Sequence, residues 1–218
     1  VTPGLGLAVF SQREDPRDAL VLPSGKEAWD GRGVIGCSSF RRKLQAEKLF
    51  PEARFKDIRG NVPTRLEKLD KGEYDALILA AAGLRRLGLE ERIFRCFEPE
   101  EMLPAAGQGT LAVTMREEED RELIRALEAP AACRIAREER AFVQALGGGC
   151  SSPVAAYGER KEGMLLLWGL YYDEKSGNYR IGSRKEALEA ATGMGAALAE
   201  ELREAASRQQ EPAGRQGE

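Results

Sequence analysis

The sequence predicts an α/β layer domain followed by a smaller α+β unit, and three observations carry that prediction. Short apolar runs alternate with stretches of helical spacing through the first half: Gly33-Val34-Ile35-Gly36-Cys37 leads into Phe40, Leu44, Leu49 and Phe50, the alternation of a strand-helix layer fold. The stretch from Asp75 to Ala82 is apolar after its opening aspartate, with Ile78 and Leu79 at its heart, as expected of a strand buried on both faces in a parallel sheet. Beyond Pro130 the pattern changes to one helix, three strands and a final helix, an α+β unit of about 80 residues, within the usual domain range.

Taken in order, the chain opens on Val1-Thr2-Pro3-Gly4 without a methionine and alternates at once through Leu5, Leu7 and Val9, as though it began inside a domain. Residues 33–37 read as a strand, Ser38-Ser39 as the turn and residues 40–50 as a helix. Residues 54–58 alternate as a second strand and Arg59-Gly60-Asn61 turns. Thr64 precedes Glu67 by three residues, the spacing of a capping box that opens a short helix. Residues 75–82 give the buried strand and 83–89 a further helical turn. The small-residue loop Leu103-Pro104-Ala105-Ala106-Gly107-Gln108-Gly109, ahead of a strand at 111–115, looks like a crossing between domains. Residues 117–129 predict an acidic amphipathic helix, and Pro130 with Ala131-Ala132 a boundary. A helix over 135–146 stops at three glycines; strands follow at 153–157, 164–172 and 178–184, the last two a hairpin. An Ala- and Glu-rich helix over 187–206 and a polar tail from 209 complete the chain.

Composition narrows the chemistry. With 42% hydrophobic and 32% charged residues the chain has the make-up of a folded domain rather than a disordered one. The formal net charge of −3 conceals 33 Lys and Arg, so an anion-binding surface has to be a local cluster, and a nucleic-acid partner is not expected. Histidine is absent, which removes the commonest general base and the commonest metal ligand together; no metal site is expected. The four cysteines are widely spaced, with no CxxC pair and no secretory segment ahead of them, which predicts a reducing, cytoplasmic setting. The longest apolar run falls short of the roughly 20 residues of a membrane span, so no membrane partner is expected. Gly107-Gln108-Gly109 lacks the strand-GxGxxG-helix context and no Walker sequence occurs, which disfavours nucleotide binding.

The most informative feature is where arginine falls. Arg13 and Arg17 flank Glu14-Asp15-Pro16; Arg41-Arg42 follow Ser38-Ser39 at a helix start; Arg59 ends a strand, Arg65 opens the next helix, and Arg85-Arg86 follow the buried strand. In an open α/β sheet the carboxyl ends of the strands meet helix amino termini and form the ligand crevice, so several of these side chains are expected to converge there. Guanidinium forks bind carboxylates bidentately and stay charged at any working pH, which suits a polycarboxylate or phosphorylated ligand. Any one of these arginines is equally explained as surface cover; their placement at three successive strand-to-helix junctions carries the argument. Cys150 follows three glycines and precedes Ser151-Ser152-Pro153, a turn able to accommodate an adduct, although a lone cysteine is ordinarily a small buried hydrophobe. Cys37, Cys96 and Cys133 are read as such.

Taken together, Arg13-Glu14-Asp15-Pro16-Arg17-Asp18-Ala19, Gly36-Cys37-Ser38-Ser39-Phe40-Arg41-Arg42 and Asp57-Ile58-Arg59-Gly60-Asn61-Val62-Pro63-Thr64-Arg65-Leu66 resemble the porphobilinogen deaminase family. So do residues 75–88, 103–109 and the run from Glu139-Arg140-Ala141-Phe142 to Gly148-Gly149-Cys150, in family order over nearly the whole chain. The resemblance implies a cytoplasmic monomer of three domains, two of them periplasmic-binding-protein-like. Residues 13–106 would be the second, substrate-binding α/β domain, 131–218 the cofactor-attachment domain, and 1–12 with 107–129 remnants of the first. It implies a dipyrromethane cofactor held by a thioether to Cys150, onto which four porphobilinogen units are joined head to tail with loss of ammonia. Each unit bears an acetate and a propionate, so many fixed guanidinium groups are needed. By motif, Ser39, Arg41, Arg42, Arg59 and Arg65 would bind the cofactor's carboxylates, and Arg13 and Arg86 the substrate's. A thioether needs no histidine, since a thiolate adds directly to the electrophile that deamination leaves.

Two departures are Cys37 where threonine is usual and Ser151-Ser152 where Gln-Val often follows the cysteine. The family's catalytic aspartate lies in a segment that Val1 follows, so no residue here is expected to fill that role, and the purified chain alone is expected not to turn over porphobilinogen. The rival reading is a noncatalytic polycarboxylate-binding module on the same scaffold.

Overall fold

A computed structural model of the chain describes residues 4–116, 128–148 and 152–208. Sixteen segments follow one another among the described residues. The first half carries β1 (Leu5–Phe10), β2 (Asp18–Val21), β3 (Gly33–Gly36), α1 (Phe40–Leu49), β4 (Ala53–Lys56), α2 (Val62–Asp70), β5 (Ala76–Ala80), α3 (Ala81–Arg86), a 3-10 turn (Glu90–Arg92), β6 (Ile93–Cys96) and β7 (Ala112–Arg116). The second carries α4 (Pro130–Ala145), β8 (Ala155–Lys161), β9 (Met164–Asp173), β10 (Asn178–Ala187) and α5 (Met194–Arg208).

The α/β unit is a five-stranded sheet in the order β4-β3-β5-β2-β6. Strand β3 runs parallel to β4 and β5, while β2 runs antiparallel to both β5 and β6. The all-parallel expectation therefore holds for three strands and is corrected for two. Strands β2 and β6 were not anticipated: each has four residues, and β2 is buried throughout, so it shows no polar-apolar alternation. Successive residues of the central strands feed opposite layers. Ala19, Val21, Leu77 and Leu79 pack with Ile58, Leu66, Leu69 and Leu84 beneath α2 and α3. Leu20, Ala76 and Ile78 pack with Ile35, Ala46, Phe97 and Met102 beneath α1. Each fully buried Leu or Ile of these layers contributes about 1.5–3 kcal/mol.

Strands β1 and β7 pair antiparallel as a separate ribbon. The chain leaves it for the sheet beside the point where it returns: Ser11 N donates to Leu111 O at 2.9 Å and Glu14 N to Gly109 O at 2.9 Å. The small-residue loop before β7 is thus one of two adjacent crossings.

In the α+β unit, β8, β9 and β10 form an antiparallel meander covered by α4 and α5. Phe142, Leu165, Leu167, Leu188, Met194 and Leu198 make its core. Gly169 lies directly under Phe142, where an added Cβ would overlap the ring, so a bare backbone is needed for the helix to sit on the sheet.

Several boundaries differ from expectation. Asn61, not Thr64, caps α2: its Oδ1 accepts from Thr64 N at 3.0 Å and from Thr64 Oγ1 at 2.8 Å. An Asn cap leaves Pro63 in the first turn, where its missing N–H costs nothing. Helix α4 begins at Pro130 rather than 135, and α5 at Met194 rather than 187, because residues 178–187 all belong to β10. Of the acidic helix expected over 117–129, residues 117–127 lie outside the described residues, as does Cys150. Among the described residues no helix is long and apolar enough to cross a membrane.

Candidate functional site

Asp18, the first residue of β2, is fully buried, and it organises the arginines that the sequence singles out. Its Oδ2 accepts from Arg41 Nη1 at 2.7 Å and its Oδ1 from Arg42 Nε at 2.8 Å. Gln108 Nε2 reaches the same Oδ1 at 3.0 Å and Pro16 O at 2.6 Å. Burial opposes ionisation of this carboxyl, but the field of Arg41 and Arg42 with the hydrogen bonds from Arg41 and Gln108 outweighs it, and the pKa lies below the ordinary aspartate value. Arg41 also donates to Leu103 O at 2.7 Å, and Gln45 brackets the same residue by accepting from Leu103 N at 2.8 Å. The start of α1, strand β2 and the crossing loop are therefore locked to one another.

Ser39 caps α1, its Oγ accepting from Arg42 N at 3.5 Å. Cys37 lies just before it, with its thiol donating to Ser39 O at 3.6 Å. Burial raises the Cys37 thiol pKa against the opposing field of Arg42 and Arg41, which keeps it a neutral, unreactive group.

These elements form one wall of a cavity of about 430 Å³, a volume suited to a small-molecule ligand. Ser39, Arg41, Arg42 and Gln108 line it from the α/β side, and Arg140, Val143 and Gln144 of α4 line it from the other. Gly148 and Ser152 complete that second wall.

The other singled-out arginines stand elsewhere. Arg13 donates to both oxygens of the fully buried Glu139, at 2.7 and 2.8 Å, and also to Gln108 O at 2.9 Å and Gly158 O at 3.3 Å. Its guanidinium lies 5.4 Å from the Tyr157 ring centroid. Glu139 accepts in addition from Gly107 N at 2.6 Å and Gly158 N at 2.7 Å. Arg13 is thus committed to a joint between the α/β and α+β units, outside the cavity wall. Arg59 is exposed beside Asp57, Arg65 Nε donates to Gly60 O at 2.8 Å, and Arg86 Nη2 donates to Gly109 O at 2.6 Å. Of the seven arginine and serine side chains named by motif, the cavity gathers Ser39, Arg41 and Arg42. Sequence reasoning missed Asp18, Gln108, Arg140 and Gln144 as site residues. Arg140 and Gln144 were findable, since their four-residue spacing puts both on one face of a helix leading to Cys150. Among the described residues no group of three His, Cys, Asp or Glu is placed to hold a metal ion.

What the fold and the cavity define together is an α/β protein with a cationic, histidine-free cleft at the carboxyl ends of its parallel strands, closed on one side by an α+β unit. Comparison with known proteins is specific. Residues 1–125 match the family model described as porphobilinogen deaminase, dipyromethane cofactor binding domain, and residues 131–204 match the porphobilinogen deaminase C-terminal domain. The porphobilinogen deaminase of Acetivibrio thermocellus is 51% identical over 177 residues, covering 81% of this chain and 61% of its own length. That of Alkaliphilus oremlandii is 50% identical over 188 residues, covering 85% and 64%, and that of Chromobacterium violaceum 43% identical, covering 94% and 68%. The chain belongs to the porphobilinogen deaminase family, and it spans about three-fifths of the length of the first two of these relatives.

Proposed function

We propose that the protein is a hydroxymethylbilane synthase, a transferase that joins four porphobilinogen units head to tail onto an enzyme-bound dipyrromethane, releasing ammonia at each addition, on the route to tetrapyrroles. It works in the cytoplasm as a monomer, on a small-molecule substrate, without a nucleic-acid or membrane partner. In this reading residues 13–106 are the substrate-binding domain, 131–218 the cofactor-attachment domain, and 1–12 with 107–129 parts of a further domain.

One observation carries the reading: the cavity walled by Ser39, Arg41 and Arg42 is bounded on its far side by Gly148 and Ser152. Each of these is two residues from Cys150 in sequence, which supports attachment of the cofactor on this side of the cavity. The donor set fits a pyrrole bearing acetate and propionate, since Arg41, Arg42 and Ser39 offer fixed donors and, among the described residues, the carboxylate touching them, Asp18, is already shared between two arginines. When bound, the dipyrromethane supplies the terminal pyrrole from which the chain grows.

The residues of this chain bind and orient. Asp18 holds Arg41 and Arg42 in place before the ligand arrives, so little side-chain entropy is lost on binding. Strands β3, β4 and β5 are parallel, so Arg59, Arg65 and Arg86 follow the same edge of the sheet as Ser39, positions suited to carboxylates of a lengthening product. Arg13 is assigned to the joint with Glu139 rather than to a carboxylate, because its donors are already satisfied.

Intact-mass measurement of the purified protein tests the proposal. An adduct of two pyrrole units that disappears in Cys150→Ala is expected; protein that carries no adduct after incubation with porphobilinogen refutes it.

A further inference from the structure

We infer that Arg140 is a carboxylate-binding residue of this cleft, the counterpart on the α+β unit of Arg41 and Arg42 on the α/β unit. The ligand class, a pyrrole dicarboxylate, rests on the function proposed above; the role of Arg140 rests on its own placement.

Arg140, Val143 and Gln144 occupy one face of α4 at spacings of three and four residues, and all three line the cavity. The two residues that flank Arg140 on the helix's inner side are committed elsewhere: Glu139 holds Arg13, and Phe142 fills the α+β core. Arg140 itself is exposed and makes no hydrogen bond or ion pair among the described residues. It differs in this from Arg41 and Arg42, whose guanidinium groups are anchored on Asp18.

The charges of the cleft support the assignment. Among the described residues its charged lining is Arg41, Arg42 and Arg140, and the carboxylate that touches this set is Asp18. Two positive charges are left over, the number of carboxylates on one pyrrole ring. A diacid held at one end by the Ser39–Arg42 helix start and at the other by Arg140 bridges the two units across the cavity. The side chains of Val143 and Val154 give the ring an apolar surface between the two charged ends.

Calorimetric titration of the 218-residue chain with an unreactive probe tests this: the pyrrole acetate-propionate diacid in which methyl replaces the aminomethyl group, together with its two monomethyl esters. Arg140→Gln is expected to weaken the diacid about tenfold, the effect of losing one charge-assisted contact at a solvent-exposed wall. One monoester, lacking the carboxylate that Arg140 holds, is expected to bind wild type and variant alike, while the other loses the same tenfold. Arg140→Lys keeps the charge without the planar fork and falls between the two. Equal affinity of wild type and Arg140→Gln for the diacid overturns the inference and leaves the proposed function standing. An equal loss for the diacid and both monoesters also overturns it, since that pattern reports a structural effect. Wild-type chain that binds none of the three probes removes the proposed ligand class and this inference with it.

Discussion

At the scale of single residues the site is governed by one carboxylate. Asp18 has no exposed surface, and it serves two guanidinium groups and an amide at once. Removing its charge leaves Arg41 buried without a counter-ion, so Asp18→Asn is expected to destabilise the fold by about 3–5 kcal/mol, measurable by urea unfolding at pH 7. The same residue sets an acid limit. Its folded pKa is depressed, so its stabilisation is fully present above the unfolded value, about 3.9, and is lost as pH falls through the lower folded value. Stability measured below pH 4 should therefore fall more steeply in wild type than in Asp18→Asn, and parallel curves would contradict this. The sequence marked Arg41 and Arg42 because two adjacent arginines at a helix start are conspicuous. It could not mark Asp18, whose partners lie 23 and 24 residues away and which reads locally as one more acid in Arg13-Glu14-Asp15-Pro16-Arg17-Asp18.

Among elements, the contact of α4 with α5 shows how a helix start is satisfied from outside its own segment. Glu138 on α4 is buried and accepts from Gly193 N at 3.2 Å and Gly195 N at 2.9 Å, so it caps α5 from a neighbouring helix. The approach is close enough that an added Cβ at Gly195 would overlap the Glu138 carbonyl oxygen, a backbone atom unable to yield cheaply. Gly195→Ala is accordingly expected to cost about 1–3 kcal/mol through overpacking. Hydrogen exchange should locate the loss in α4, α5 and the meander, with β2 to β6 unchanged; uniform loss across both units would argue against so local a cause. This contact also explains why the start of α5 was misplaced in the sequence. Residues 187–193 carry Ala, Leu and Glu, good helix formers, but residue 187 is held in β10 and the cap that fixes the true start comes from residue 138. By contrast α1 was legible because its apolar spacing and its own cap, Ser39, agree with its surroundings.

Across the whole molecule, the two units meet through an ion pair that shapes the cleft without lining it. Arg13 and Glu139 are 126 residues apart, with side-chain exposures of 16% and 0%, and their hydrogen bonds tie the first crossing, the second crossing at Gly107 and Gln108, and β8 into one joint. The sequence made Arg13 conspicuous as a cation but carried no sign that a buried glutamate had already claimed it; long-range pairing is what local pattern does not record. Because Arg41, Arg42 and Arg140 face each other only while the units keep their relation, this joint acts on ligand affinity from outside the cavity. Arg13→Gln leaves the Glu139 carboxylate with two backbone donors and no counter-ion, at a cost of about 3–5 kcal/mol. Since the lost bonds are those between units, calorimetry is expected to show one unfolding transition for the wild-type chain and two for Arg13→Gln, the α+β unit separating from the α/β unit. Adding Glu139→Gln removes the orphaned charge and should restore part of the stability without restoring the single transition. If Arg13→Gln instead unfolds in one step at a lower temperature, the pair stabilises both units evenly and is not what holds the cleft walls in register.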